Sequence, residues 1–154
     1  MANPDPTRLL IEIGRLHDRL NGATDALVAD LGMTSARWQV MGAVATATGP
    51  CTVSDLARRM GLARQSVQRV VNDLADRGLI SMVRNPGHAR APHIRLAPKG
   101  EIAFAEANGR RQPWAESLTT GLDEAAIHEA LQVLKALNRA LVSSASEASS
   151  PRSD

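Results

Sequence analysis

The sequence predicts a mainly α-helical chain with one small β-hairpin, and three observations lead there. Apolar residues recur at helical spacing, i, i+3, i+4 and i+7, through most of the 154 residues. Two such patterns between Thr52 and Ile80 are separated only by the tight break Met60-Gly61-Leu62, which is the grammar of a helix-turn-helix. Two short alternating runs, Leu79 to Arg84 and His93 to Leu96, follow and enclose a loop of turn-forming residues.

Each element has its own signals. Residues 1–6 contain two prolines and read as a flexible arm. From Thr7 to about Asp30 a long helix carries the stripe Leu9, Ile13, Leu16, Leu20 and Leu27, widened by Leu10 and His17. The stripe is wider than one surface contact needs, so this helix is expected to pack on more than one neighbour. Thr34 is placed to cap a second helix carrying Trp38, Val40, Met41 and Val44, with a stop at Gly49-Pro50.

Thr52 followed by Asp55 is a capping-box signature, and Val53, Leu56, Ala57 and Met60 form one face behind it. Gly61 stands where this helix must stop and reverse. Val67, Val70, Val71 and Leu74 give the next helix its buried face. Asn85-Pro86-Gly87 is turn chemistry, and the loop that contains it is too long for a tight hairpin, so it should protrude. Pro98 suits the first position of a helix through Ile102, Phe104, Ala105 and Ala107. Gly109 and Pro113 are expected to bend or interrupt it, and Trp114 and Leu118 continue its face. After Gly121, Asp123 caps a last helix with Ile127, Ala130, Leu131, Leu134, Leu137 and Leu141. The polar tail 143–154 is expected to be disordered.

Charge is unevenly spread. Net charge is −1 over residues 1–50, +6 over 51–111 and −3 over 112–154. The excess positive charge therefore lies on and just after the helix-turn-helix, as it would if that region meets phosphate. One cysteine excludes an internal disulfide framework. With no membrane-length apolar run and no secretion signal at the start, the expected location is cytoplasmic. No Gly-rich phosphate loop, nucleophile elbow or HExxH helix is present, so an enzyme is not expected. The aromatic side chains are Trp38, Phe104 and Trp114, all on helical patterns, which disfavours an RNA-stacking sheet. His17, His88, His93 and His128 are scattered without a completing ligand set, and no metal or cofactor is expected.

Taken in order, the strings MTSARWQVMGAV, TVSDLARRMGLARQSVQRVVNDLADRGLI, RNPGHARAPHIRLAPKG and GLDEAAIHEALQVLKAL resemble the second helix, DNA-binding helices, wing and last helix of the multiple-antibiotic-resistance-regulator (MarR) family. The resemblance covers roughly residues 8–142. It implies a winged helix-turn-helix domain over 7–142, with a DNA-binding lobe at about 34–97 and dimerisation helices at 7–31 and 98–142. It further implies a homodimer on near-palindromic double-stranded DNA, most often a repressor, released in many members by a small aromatic or phenolic ligand. The chain departs from the family's wing pattern: His88 stands where an Asp usually braces the wing arginine, here Arg90. Ala97 stands where a Thr usually caps the next helix.

The second helix of such a motif enters the major groove, and its exposed positions carry Arg64, Gln65, Gln68 and Arg69. Arginine and glutamine each bond two edge atoms of a base, guanine and adenine respectively. Thr52, Ser54 and Ser66 are phosphate candidates, with the amides that open the first motif helix. On the wing, Arg90 is a minor-groove or phosphate candidate, with His88 beside it and Arg84 on the strand. The bland alternative for all of these is a solvated polar face. His17, Arg37, Trp38 and Met41 could line a ligand pocket, against the alternative of ordinary core packing. Cys51, at the entry to the motif, reads as a small buried residue, with a redox role as the minor alternative. The rival reading for the whole chain is a winged-helix module that binds protein and never reads DNA.

Overall fold

The computed structural model describes residues 5–148. Its elements are α1 (Pro6–Val28), a 3₁₀ turn (Ala29–Leu31), α2 (Ser35–Ala45), α3 (Val53–Met60), α4 (Arg64–Asp76), β1 (Ile80–Val83), β2 (His93–Leu96), α5 (Pro98–Thr119) and α6 (Glu124–Ala148). The fold is mainly α with one antiparallel hairpin, in the expected order. The hairpin register runs from Ile80 opposite Leu96 to Val83 opposite His93. Cys51 adds a one-residue bridge to the outer side of β2, where the Ile94 amide donates to its carbonyl at 2.8 Å. The chain divides into two compact units, Met1–Gln112 and Pro113–Asp154.

In the first unit α2 is the central rod. Trp38, Val40, Met41 and Val44 are all buried, and they point in more than one direction, so α2 packs against α1, α3, α4 and β2 together. The helix-turn-helix presses the expected faces inward: Val53, Leu56 and Ala57 from α3, and Val67, Val71 and Leu74 from α4. Met41, Leu56 and Leu74 are sealed from solvent. Each such side chain contributes roughly 1.5–3 kcal/mol by leaving water.

The caps set the angles between these helices. Thr34 accepts the Arg37 amide, and Thr52 and Asp55 close a reciprocal capping box. Gly61 adopts φ 65°, a left-handed conformation that side chains with a Cβ avoid. The chain can then turn back so that the Leu62 amide reaches the Ala57 carbonyl at 3.0 Å. A different constraint applies at Gly100, in the first turn of α5. A Cβ there would stand 1.8 Å from the Leu79 carbonyl oxygen, because α5 starts directly against the entry to β1. The Ala97 amide donates to that same oxygen at 3.0 Å.

Polar ties then fix the packing. Arg37 donates from Nε to Asp73 on α4 at 2.5 Å and from a terminal nitrogen to the Gly32 carbonyl at 2.9 Å. Arg77 reaches the other oxygen of Asp73 at 3.0 Å. The Arg37 bond, helped by Arg77, holds the Asp73 carboxyl below its ordinary pKa. Arg110 of α5 clamps the 3₁₀ turn, donating to both oxygens of Asp30 and to the Leu27 carbonyl. The Trp38 indole donates to Asn108 at 3.1 Å, joining α2 to α5.

Several boundaries differ from expectation. α2 ends at Ala45 rather than at Gly49-Pro50: Pro50 has no amide hydrogen for the Thr46 carbonyl, and Arg59 donates to that carbonyl instead. α5 runs through Gly109 and Pro113 without interruption. Helix α1 begins at Pro6, inside the expected arm; the rest of that arm, residues 1–4, lies outside the described residues. The last helix continues past Val142 to Ala148, with the Ser143 and Ser144 hydroxyls bonding back to the Arg139 and Leu141 carbonyls. Those hydroxyls serve the helix instead of competing with it. Residues 149–154 of the expected disordered tail lie outside the described residues.

The α1 stripe is only partly covered within the chain: Leu27 packs against the core and Ile13 is half-buried, whereas Leu9, Leu10, Leu16 and Leu20 are exposed. Ile102 on α5, expected on a packed face, is 70% exposed. In the second unit, Trp114, Ile127 and Leu137 are half-buried, whereas Leu131, Leu134 and Leu141 of α6 are exposed.

Two stability predictions follow from these contacts. Gly100→Ala should lower stability by about 1–3 kcal/mol through overpacking against backbone. Gly109→Ala, where a Cβ meets nothing within 4 Å, should leave the thermal midpoint unchanged or raise it. Equal melting of the two variants would remove the close-approach argument. For Asp73 the folded carboxyl titrates below its unfolded value, so its contribution is present above pH ~3.9 and fades as pH falls through the folded pKa. The carboxylate is partly solvated, so Asp73→Asn should cost about 1 kcal/mol at neutral pH. That gap should close under denaturant titration below pH ~4, and a gap of constant size would contradict the ion-pair assignment.

Candidate nucleic-acid interface

The surface is built from the start of α3, one face of α4 and the hairpin loop. At α3 the capping box consumes the groups expected to hold phosphate. The Thr52 hydroxyl accepts the Asp55 amide at 3.3 Å and donates to Asp55 Oδ2 at 2.8 Å. The Thr52 amide donates to that same carboxylate oxygen at 3.0 Å. These bonds, led by the one from the Thr52 amide, hold the Asp55 carboxyl below its ordinary pKa. Thr52 is therefore committed to its cap, while Ser54 is exposed and open to a partner.

Helix α4 begins differently. Its N-cap is Ala63, which offers no side-chain acceptor to the first-turn amides. That turn keeps its partial positive charge and adds it to Arg64. Arg64, Gln65, Ser66 and Arg69 are exposed, and Gln68 is half-exposed with its amide bonded to Asn72 at 2.9 Å. The register of α4 follows from burial of Val67, Val71 and Leu74 on the opposite side. The face toward solvent is thereby forced to be the one bearing arginine and glutamine.

The loop between β1 and β2 is braced by Asn85. Its side-chain nitrogen donates to the Ala91 carbonyl at 2.9 Å, and its side-chain oxygen accepts the Gly87 amide at 3.0 Å. The His88 amide adds a bond to the Asn85 carbonyl. The loop is thus closed by one asparagine, without an acid at position 88. Arg84, His88 and Arg90 are all exposed on it.

Two adjoining concavities bring most of the expected residues together. A cavity of about 150 Å³ between α3, α4 and the loop is lined by Thr52, Ser54, Arg64, Gln68 and Arg90, with Met82 and Pro92 among its apolar walls. A shallower hollow of about 400 Å³ along α4 is lined by Arg64, Gln65, Gln68, Arg69 and Asn72. Among the described residues, no carboxylate lines either one. Ser66, Arg84 and His88 line neither. A larger opening of about 540 Å³ lies between the end of α2, β2 and the start of α5. Glu101 faces it together with Arg95, so it lacks the single-signed character of the α4 surface.

Pairing separates structural arginines from available ones. Arg37, Arg58, Arg77 and Arg110 each hold a carboxylate. Among the described residues, Arg64, Arg69, Arg84 and Arg90 have no carboxylate partner. An unpaired guanidinium on an acid-free surface is matched to phosphate oxygens and guanine edges.

The expected ligand-pocket residues do not converge in this way. Met41 is fully buried in the core, and Trp38 is buried with its indole N–H given to Asn108. The Arg111 guanidinium lies 5.6 Å from the Trp38 ring centroid. Arg37 is engaged by Asp73 and Gly32, and His17 is exposed on α1, bonded to Asn21. Cys51 is buried, with its thiol toward the Ile94 carbonyl at 3.7 Å. Burial pushes its pKa up, the reverse of the lowering expected from a nearby helix N-terminus. One residue of this surface was not singled out from the sequence, Asn72, and Asn85, read there only as part of a turn, braces the whole loop. The four-residue spacing of Gln68 and Asn72 was the available signal for the first.

Together the α3–α4 pair, the braced hairpin and the acid-free basic face define a winged helix-turn-helix protein. Known proteins give the finer placement. The MarR family model matches residues 31–91. Uncharacterized proteins of Mycobacterium tuberculosis and Mycobacterium bovis are each 32% identical over 134 residues, covering 87% of this chain and 92% of theirs. The chain belongs to the MarR family.

Solved structures share the fold. The Staphylococcus aureus MarR in complex with salicylate and kanamycin superposes with TM-score 0.79 at 13% identity, covering 89% of this chain and 92% of that one. Bordetella bronchiseptica BpsR, whose DNA binding is regulated by 6-hydroxynicotinic acid, gives 0.75 at 20% identity, covering 90% and 96%. The M. tuberculosis regulator MOSR, in complex with DNA, gives 0.70 at 21% identity, covering 86% and 96%.

The sequence expectation divides the arginines by task, Arg64 to a base edge and Arg90 to the minor groove or phosphate. Arg64→Ala should alter sequence preference and cost roughly 1–3 kcal/mol at its base pair. Arg90→Ala should weaken binding to all duplexes and reduce the log–log salt slope by about 0.9 per phosphate contact removed. Fluorescence-anisotropy titrations over a salt series read both. Loss of equal size on every sequence for both variants would contradict this division.

Proposed function

We propose that the chain is a homodimeric, sequence-specific DNA-binding transcription regulator, acting as a repressor that a small aromatic or phenolic ligand releases from a near-palindromic operator. The observation that carries this reading is the acid-free surface of unpaired Arg64, Arg69 and Arg90 with Gln65 and Gln68, spread over two joined concavities. Its shape suits a recognition helix in the major groove with the loop reaching toward the neighbouring minor groove. The DNA complex of MOSR supports the target class. A cytoplasmic location goes with this reading. No helix among the described residues is long and apolar enough to cross a membrane.

Homodimerisation is supported by apolar faces left uncovered within the chain. Leu9, Leu10, Leu16 and Leu20 of α1, and Leu131, Leu134 and Leu141 of α6, are exposed. Contiguous apolar surface of this kind marks an interface. A second copy would present the second recognition helix one turn of DNA away, about 34 Å along the axis. Effector release is supported by the ligands of the S. aureus and Bordetella proteins. Ligand would favour a spacing of the two recognition helices that no longer fits adjacent grooves, which is a population shift. The raised thiol pKa of Cys51 favours this ligand reading over a redox one.

Selection from randomised duplex DNA at low salt tests the target. Enrichment of a near-palindrome is expected, and no enrichment would leave the protein-binding module as the better account. For assembly, Leu16→Glu with Leu134→Glu should turn a sedimenting dimer into a folded monomer that loses tight operator binding. A wild-type chain that already sediments as a monomer would sink the dimer.

A further inference from the structure

Gln68 and Arg64 are the two side chains shared by both concavities, so they occupy the middle of the basic surface. Gln68 Nε2 donates to Asn72 Oδ1 at 2.9 Å. The two residues stand one helical turn apart on α4, the spacing at which side chains meet. Asn72 is itself exposed and lines the outer hollow beside Arg64, Gln65 and Arg69.

The bond has a chemical consequence. A free glutamine amide turns on its terminal torsion and can present either its two N–H donors or its carbonyl acceptor. With one N–H held by Asn72, Gln68 keeps its carbonyl oxygen and one remaining N–H. That donor–acceptor pair complements the N6–H and N7 of adenine in the major groove, and it does not complement the two acceptors of guanine. Ordering a long side chain before contact also removes part of the entropy cost that binding would otherwise carry.

We infer that Asn72 is a positioning residue that sets the amide of Gln68 for adenine, and so determines specificity at one base pair of each half-site without touching that base. The inference rests on the DNA-reading function proposed above. Nothing else bonded to Gln68 among the described residues would hold its amide in this orientation. Buried Val71 and exposed Asn72 are neighbours in sequence, so burial of one face of α4 carries Asn72 to the same outward face as Gln68.

The test uses the full chain and the duplex it selects from a randomised pool, together with every single-base variant of that duplex. Titrations compare wild type, Asn72→Ala, Asn72→Asp, Gln68→Ala and the double variant Gln68→Ala with Asn72→Ala. Asn72→Ala should lose about two- to fivefold in adenine preference at one base pair per half-site, part of what a good bidentate pair supplies. Its thermal melt should not change, and its loss at that base pair should exceed any loss on an unrelated duplex. Asn72→Asp should keep the adenine preference, because its carboxylate still accepts from Gln68, while its charge weakens binding to every duplex. Gln68→Ala should lose preference at the same base pair, with no further loss in the double variant.

An unchanged preference for Asn72→Ala, a uniform loss on all duplexes, or a shift at a different base pair from Gln68→Ala would each overturn the positioning role. These outcomes presuppose that wild type selects a sequence. A wild-type chain that enriches none overturns the DNA-reading function first, and the role of Asn72 with it.

Discussion

The contact between Arg37 and Asp73 is the constraint on which the rest of the surface depends. It crosses from the start of α2 to the second half of α4, and the same guanidinium holds the Gly32 carbonyl where α1 gives way to α2. Apolar burial fixes which side of α4 faces the core, but burial is tolerant of small rotations about the helix axis. A directional charge-assisted bond is less tolerant, because Arg37 must keep its Nε on Asp73 while its terminal nitrogen stays on the Gly32 carbonyl. Since α4 carries the basic face at its other end, a small rotation at Asp73 would re-aim Arg64, Gln65, Gln68 and Arg69. The second clamp, from Arg110 to Asp30, holds the same 3₁₀ turn from α5.

Polar and apolar roles are separated in space. Arg37 and Arg110, which tie one segment of the fold to another, are neutralised by Asp73 and Asp30. Arginines on the α4 face and the loop have no carboxylate beside them. A paired arginine would have to give up its partner before meeting a phosphate, and an unpaired one gives up only water. This division explains how a chain of net charge +2 presents a strongly positive face. The apolar faces of α1 and α6 show the complementary economy: they are left uncovered within one chain, consistent with a second copy as their cover.

Much of the fold was legible from short-range pattern. The capping box at Thr52 and Asp55, the reversal at Gly61 and the inward faces of α3 and α4 are all local, and they stand where helical periodicity placed them. Boundaries decided by distant partners were less legible. The carbonyl left open at the end of α2 is taken by Arg59, and the pairing of Cys51 with Ile94 joins residues far apart in sequence. The surface was legible in residue type. Its division of labour was not, because which arginines are paired depends on carboxylates far away in sequence, as with Arg37 and Asp73 or Arg110 and Asp30.

The sequence by itself determined the elements, their order, the family resemblance and the polar face of the second motif helix, because those rest on periodicity and on caps that act within a few residues. Only the tertiary structure decided that Trp38 and Met41 belong to the core, that much of the α1 stripe stays uncovered, and that Gly100 admits no side chain. It also decided which side chains share a concavity. The physical reason is common to all of these. Each depends on what stands opposite a residue across the fold, and that is set by packing between segments whose separation along the chain carries no local signal.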